Sequence, residues 1–313
     1  MIIRFWGVRG SLPSPALPSV FKDKISQILE KATPEDLSSA ESKERFIASL
    51  PPRLYGSVGG NTPCVTVEID GFNESFVFDC GSGLREFGDD CALRNPKLDK
   101  FHMFFSHFHW DHIHGLPFFL PVYKPSATID FYSVNRDIEK ILSGQMTAPY
   151  FPVDFNNTAS QKNFHFLDGP VSIGPVEISY KKMNHPGDSY SYKVNHNGKK
   201  FIYATDTELL TSDFQQTPEN VEFFKNADLI ILDAQYTIGE AMNKFNWGHS
   251  AFNLSVDFAA AWGAKRLVLF HHDPAYDDEK LYEILESACG HLERTNNSQT
   301  EIILAVEGLE ISL

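Results

Sequence analysis

Three features of the sequence predict an α/β protein. Short β-rich runs alternate with helical patterns along its 313 residues. Two of the runs, 229–232 and 267–270, are continuously apolar, as expected of central strands covered on both faces. Two helical patterns accompany them. One spans 250–262, with Ser250 placed to cap it. The other spans 278–292, where Leu281, Ile284, Leu285 and Ala288 form an apolar stripe.

The remaining elements follow in chain order. Residues 2–6 read as an opening strand. Residues 65–69 and 76–78 read as a hairpin around Asp70-Gly71-Phe72-Asn73. Further strands are expected at 101–105, 128–132, 176–180, 191–194 and 201–204, with 301–304 and 309–313 closing the chain. Residues 20–50 differ in character. Phe21, Ile25, Ile28 and Leu29 recur at helical spacing, and Thr33-Pro34-Glu35 reads as an N-cap with proline at the first helical position. The chain is read as one domain over 1–313 with a helical insertion at about 20–50, placed to cover a site or to form a homodimer contact.

Composition excludes several classes. Hydrophobic residues make up 42% and charged residues 22%, enough apolar material for a core and unlike a disordered chain. No apolar run approaches the ~20 residues needed to cross a bilayer, and Met1-Ile-Ile-Arg-Phe-Trp6 has no leader pattern, so no membrane partner is expected. Cys64, Cys80, Cys91 and Cys289 are scattered, which argues against a disulfide framework or a cysteine zinc site and fits a reducing cytoplasm. Lys+Arg 27 against Asp+Glu 41 leaves a net charge of −14. Without a concentrated basic patch, that charge disfavours a long nucleic acid as partner. A small anion held by metals remains compatible with it, because a bound cation dominates its local field.

Histidine is the informative residue. Of the 12, four fall in Ser106-His-Phe-His-Trp-Asp-His-Ile-His-Gly115, and His271 and His272 are adjacent. Neutral imidazole is the commonest protein metal ligand. Metal-type residues also recur just past predicted strands: Asp79, His107, His185, Asp206 and His271. In α/β proteins, groups at such strand ends collect at one edge of a rigid sheet. Within the cluster, a strand-to-helix turn can send His107 and His109 to one ion and Asp111 and His112 to a second. Two ions about 3.5–4 Å apart are a known hydrolytic design.

These residues resemble a family. His107-Phe-His109-Trp-Asp111-His112 is similar to the His-x-His-x-Asp-His motif of metallo-β-lactamase fold hydrolases. In order along the chain, Phe78-Asp79-Cys80-Gly81-Ser82-Gly83, Asn184-His185-Pro186-Gly187, Tyr203-Ala204-Thr205-Asp206-Thr207, Gly248-His249-Ser250 and Leu269-Phe270-His271-His272-Asp273 resemble that family's other motifs. The resemblance implies a four-layer αββα sandwich and two divalent ions, Zn or Mn. The first would be held by His107, His109, His185 and Asp206, and the second by Asp111, His112, Asp206 and His271. Asp79 would support the histidine-rich loop. Asp206 stands where common zinc β-lactamases carry cysteine. His249 resembles the extra histidine of the phosphodiesterase branch, where it can protonate a leaving alkoxide. Asp233 is placed to orient it, so the catalytic set implied is His249, Asp111 and Asp233. His102, His114, His165, His196 and His291 are read as structural.

The opening Phe5-Trp6-Gly7-Val8-Arg9-Gly10-Ser11 and Gly59-Gly60-Asn61-Thr62-Pro63-Cys64 resemble a bacterial subgroup of small phosphodiesterases. The glycine-rich basic arm of tRNA-processing relatives has no counterpart between Phe131 and Val176. That stretch holds Gln145-Met-Thr-Ala-Pro-Tyr-Phe-Pro152 instead, where Tyr150 or Phe151 could stack a base. The expected activity is hydrolysis of a small phosphodiester, foremost a 3′,5′-cyclic mononucleotide. The alternatives are a tRNA 3′-end endonuclease, or an esterase or lactonase on the same metals.

Overall fold

The computed structural model describes residues 1–295 and 299–313. Its strands are β1 (Ile2–Gly7), β2 (Cys64–Ile69), β3 (Phe72–Phe78), β4 (Lys100–Phe104), β5 (Thr128–Ser133), β6 (Gln161–Phe166), β7 (Val171–Ile173), β8 (Val176–Met183), β9 (Ser189–His196), β10 (Lys199–Ala204), β11 (Leu229–Asp233), β12 (Arg266–Phe270), β13 (Glu301–Leu304) and β14 (Glu310–Ser312). Its helices are α1 (Pro18–Lys31), α2 (Ala40–Ser49), α3 (Pro52–Tyr55), α4 (Gly83–Arg94), α5 (Ile138–Gln145), α6 (Pro218–Phe224), α7 (Ile238–Asn243), α8 (Phe252–Ala261) and α9 (Asp278–Thr295).

The strands form two seven-stranded sheets, ordered β14-β1-β2-β3-β4-β5-β6 and β13-β12-β11-β10-β9-β8-β7. The period-2 alternation of side chains builds the layers. Phe76, Phe78 and Phe104 point into the core shared by the two sheets, whereas Val77, Phe101 and Met103 join the outer core under α4 and α5. Aromatic rings weld the inner faces together. Phe78 lies 5.8 Å from Tyr192 and 5.6 Å from Tyr203, and Phe5 lies 6.1 Å from Phe270. α8 packs on β11 and β12, and α9 on β13, which completes the αββα order. β3 runs parallel to β4, and β10, β11 and β12 run parallel to one another, so each sheet presents several carboxyl ends at one edge.

Local readings differ from the structure in several places. Ser250 does not cap α8. The N-cap position is Ala251, and the Ser250 hydroxyl donates to the Thr207 carbonyl while accepting from Leu209 N–H. Thr33 starts no helix; its N–H and hydroxyl both donate to Asp36 in a turn, and α2 begins later with Ser39 as its cap. β6 and α4 carry no clear sequence signal. β6 is an edge strand with only Phe164 and Phe166 as large apolar residues, and α4 opens on glycine and includes Gly88, Asp89 and Asp90. The helical spacing of Phe21, Ile25 and Leu29 does correspond to α1, but those side chains are exposed.

Candidate metal centre

The histidine-rich segment leaves β4 and turns through a single 3-10 turn at Trp110–His112. This turn sends its ligands in two directions. His109 Nδ1 stands 2.9 Å from His107 Nε2 and 3.2 Å from His185 Nε2, while Asp206 Oδ1 lies 3.7 Å from His107 Nε2 and 3.9 Å from His185 Nε2. A second group lies beside it. His112 Nε2 is 3.2 Å from both Asp111 Oδ2 and Asp206 Oδ2, and His271 Nε2 is 3.3 Å and 3.1 Å from the same two oxygens. Asp206 contributes one oxygen to each group. The sequence-predicted ligands His107, His109, His185, Asp206, Asp111, His112 and His271 are thus brought close together: His107, His109 and His185 form one group, and Asp111, His112, Asp206 and His271 a second, with Asp206 between them.

The donor set fits cations. His112 Nδ1–H donates to Asp79 and His185 Nδ1–H donates to the Gly248 carbonyl, which turns each Nε2 toward the cluster. His107 is fixed the same way, because the Ser106 hydroxyl donates to Asp79 and so accepts from His107 Nδ1–H. His112 Nε2 is buried with no hydrogen-bond partner among the described residues. Lone pairs facing one another at these distances repel unless a positive charge lies between them. Tetrahedral ligands about 2.0–2.1 Å from a zinc-type ion stand about 3.3 Å apart, close to the spacing of the second group. Burial raises the Asp206 carboxyl, but positive charge on the facing imidazoles, His271 first, outweighs it and holds its pKa well below the usual carboxylate range. Against burial, Asp111, Asp206 and Asp79 in turn raise the His112 pKa, so the second group favours positive charge, carried by a proton or by an ion. Burial and the neighbouring imidazoles keep His107 neutral.

Supporting residues hold this arrangement under strain. Asp79, Asp206 and His271 each follow a strand end directly or by one residue, and each has left-handed backbone at φ 60°, 47° and 61°. Such conformations cost non-glycine residues roughly 1–2 kcal/mol and persist where the surroundings fix them. Asp79 is fully buried and accepts from Ser106 N–H, the Ser106 hydroxyl, His112 Nδ1–H and the Tyr203 hydroxyl. Gly248 has φ +86°, and an added Cβ would collide with His185 Nδ1.

His249 lies nearer the ligands than its place in the sequence suggests. Its ring centroid is 4.9 Å from that of His271 and 5.2 Å from that of His185. Asp233, at the end of β11, sets Oδ2 2.7 Å from His249 Nδ1. Burial disfavours a charged His249, but the Asp233 charge and hydrogen bond prevail and raise its pKa to about 9. His272 is separate from the cluster. Its Nε2–H donates to the Ala305 carbonyl, and burial pushes its pKa down to about 3. His114 donates to Thr62 Oγ1, and His102 pairs with Glu74.

The opening segment has local work that its motif alone did not reveal. Ser11 N–H donates to Asp111 Oδ2 at 2.8 Å, Gly10 packs against His271, and buried Arg9 bonds to the carbonyls of Gly59 and Tyr276. Ser106 and Tyr203 were visible only as members of motifs. Tyr150 is exposed, and Phe151 packs on Phe118.

The sequence pattern of the family described as Beta-lactamase superfamily domain matches residues 75–272. Ribonuclease Z of Prochlorococcus marinus (strain NATL1A) is 23% identical over 263 residues, covering 65% of this chain and 79% of its own. Among solved structures, a diphosphatase from the PhnP family aligns at TM-score 0.64 with 19% identity, covering 100% of this chain and 97% of its own. The short form of human tRNase Z aligns at 0.62 with 18% identity, covering 100% and 99%. These structural likenesses establish the fold. With the family pattern spanning more than half of its length, the chain belongs to the β-lactamase superfamily and is a metal-dependent hydrolase of the metallo-β-lactamase fold.

Proposed function

We propose that this protein is a dinuclear phosphodiesterase acting on a small substrate, foremost a 3′,5′-cyclic mononucleotide, which it opens to the nucleoside monophosphate. The observation that carries the reading is the Asp233–His249 pair beside the ligand cluster. An ester or lactone, whose tetrahedral intermediate expels its alkoxide readily, makes less demand on a leaving-group acid than a phosphodiester, from which a ribose alkoxide leaves slowly unless it is protonated. His249 would hold a proton on Nε2 and deliver it to that oxygen, a step worth about 10²–10⁴-fold. Asp233 would fix the ring and support its positive charge. His107, His109, His185 and Asp206 would hold one divalent ion and Asp111, His112, Asp206 and His271 the other, Zn or Mn by donor type. When bound, the ions would supply the activated water and offset negative charge developing on the phosphoryl oxygens.

A second reading, cleavage of precursor tRNA, is favoured by relatives named Ribonuclease Z. The net charge of −14 weighs against it, since phosphate contacts dominate the affinity of nucleic-acid binders. A panel run with Zn- and Mn-loaded protein separates the readings. It includes cyclic nucleotides, an aryl phosphodiester, a lactone, a β-lactam and precursor tRNA. Turnover of the cyclic nucleotides and aryl diester supports the proposal. Faster cleavage of tRNA with steep salt dependence, or turnover of the lactone alone, overturns it.

A further inference from the structure

A cavity of about 370 Å³ opens beside the metal centre, at the small end of ordinary ligand pockets. His107 and Gly187 form its inner wall, and Gly187 lies close to His109 Nε2, so the cavity is continuous with the first ligand group. Its outer wall is Asn135, Arg136 and Phe166. The Arg136 guanidinium lies 3.8 Å from the centre of the Phe166 ring. Among the described residues, no carboxylate pairs with it and no hydrogen bond leaves it. Its second face and its N–H edge are therefore available to a ligand.

The loop carrying Arg136 is held in shape by its own side chains. Asn135 N–H donates to Ser133 Oγ at 3.0 Å, and Asp137 N–H donates to Asn135 Oδ1 at 2.9 Å. Because that bond occupies Oδ1, the Asn135 amide has Nδ2–H left to offer. The one acidic wall residue, Asp188, is paired with Lys182 at 2.6 Å. The wall thus offers a stacking plane and hydrogen-bond donors.

We propose that this cavity receives the nucleobase of the substrate, edge-on to Arg136, and that it prefers guanine. With one face on Phe166, the guanidinium can turn its in-plane N–H fork to the ligand, the geometry that pairs with the O6 and N7 edge of guanine. Guanine presents two adjacent acceptors, O6 and N7, to the donors of Arg136 and Asn135. Adenine presents one acceptor and an N6 donor on that edge, so only one of the two bonds from the guanidinium fork forms. The proposal rests on the phosphodiesterase reading and narrows it to guanine cyclic nucleotides.

The test compares cyclic GMP, cyclic AMP and bis(p-nitrophenyl) phosphate, which carries no base. Wild-type protein should favour cyclic GMP over cyclic AMP by about 10-fold in kcat/KM. Arg136→Ala should remove that preference and lower the ratio of cyclic GMP to aryl diester turnover by at least the same factor, chiefly through KM. Equal use of the two cyclic nucleotides by wild type overturns the base assignment. So does an equal loss on both in the variant, which would make Arg136 a general anion contact. If wild type hydrolyses no phosphodiester, the functional reading fails on its own. Calorimetric binding of 5′-GMP against 5′-AMP to metal-loaded wild type and Arg136→Ala then decides the subsite: selective binding lost in the variant sustains it, and no selectivity overturns it.

Discussion

Asp233 Oδ2 stands 2.7 Å from His249 Nδ1, and the same carboxylate accepts the backbone N–H groups of Thr207, Gln235 and Ser250. The carboxylate is therefore fixed before any substrate arrives, and the imidazole is fixed by it. Asp233→Asn keeps the shape and removes the charge. It should leave metal content unchanged and slow cyclic nucleotide hydrolysis by about 10²-fold. Steady-state kinetics beside elemental analysis check this; undiminished turnover would show that the pair is structural.

Asp206 offers an oxygen to each ligand group. Asp206→Ala should lose most bound metal from both sites and nearly all turnover, with two ions per chain in the wild type. Elemental analysis that finds one tight ion, and no activation by a second, contradicts the dinuclear assignment.

Four donors converge on buried Asp79. Asp79→Ala strands them, and each buried unpaired group costs about 1–3 kcal/mol. The expected loss is about 3 kcal/mol or more, read as a lower denaturation midpoint in metal-free protein, where the effect cannot come from lost ligands. An unchanged midpoint would place the role of Asp79 outside folding stability.

The candidate ligands His107, Asp206 and His271 were legible in sequence because they follow the apolar strands β4, β10 and β12, whereas His185 follows the more polar, antiparallel β8 and was legible through its motif. The hairpin of β2 and β3 and the strands β10 to β13 were legible for the same reason: their periodicity is set by burial. What escaped was set by contacts distant in sequence. Ser250 resembles a cap by position, yet its hydroxyl is engaged by Thr207 and Leu209, more than 40 residues away. Ser11 acts through its backbone N–H, which leaves no residue-type signature. Arg136 and Phe166 are 30 positions apart and meet only because β5 and β6 pair in parallel.

Phe21 and Ile25 lie exposed on α1, which Lys24 ties to Asp278 at 2.6 Å. We propose that the insertion at 20–50 shapes access or pairing and supplies no ligand. Phe21→Glu with Ile25→Glu should keep both ions and aryl diester turnover within about twofold, while any dimer seen by light scattering should weaken. Loss of metal with an intact far-ultraviolet spectrum would contradict it.

Gly248 is required by its positive φ and by its closeness to His185. Gly248→Ala should displace His185, weaken the first ion and leave the second better retained. Metal titration with competing chelator reads the two affinities; equal weakening of both would place the disturbance elsewhere.

We propose that His249 delivers a proton to the leaving oxygen. It is tested most directly by the leaving-group dependence of His249→Ala in protein holding both ions. Cyclic nucleotide hydrolysis should fall by about 10²-fold or more, and hydrolysis of bis(p-nitrophenyl) phosphate much less, because nitrophenolate departs without protonation. Equal losses on the two substrates would contradict the claim and leave His249 as a charge or binding group.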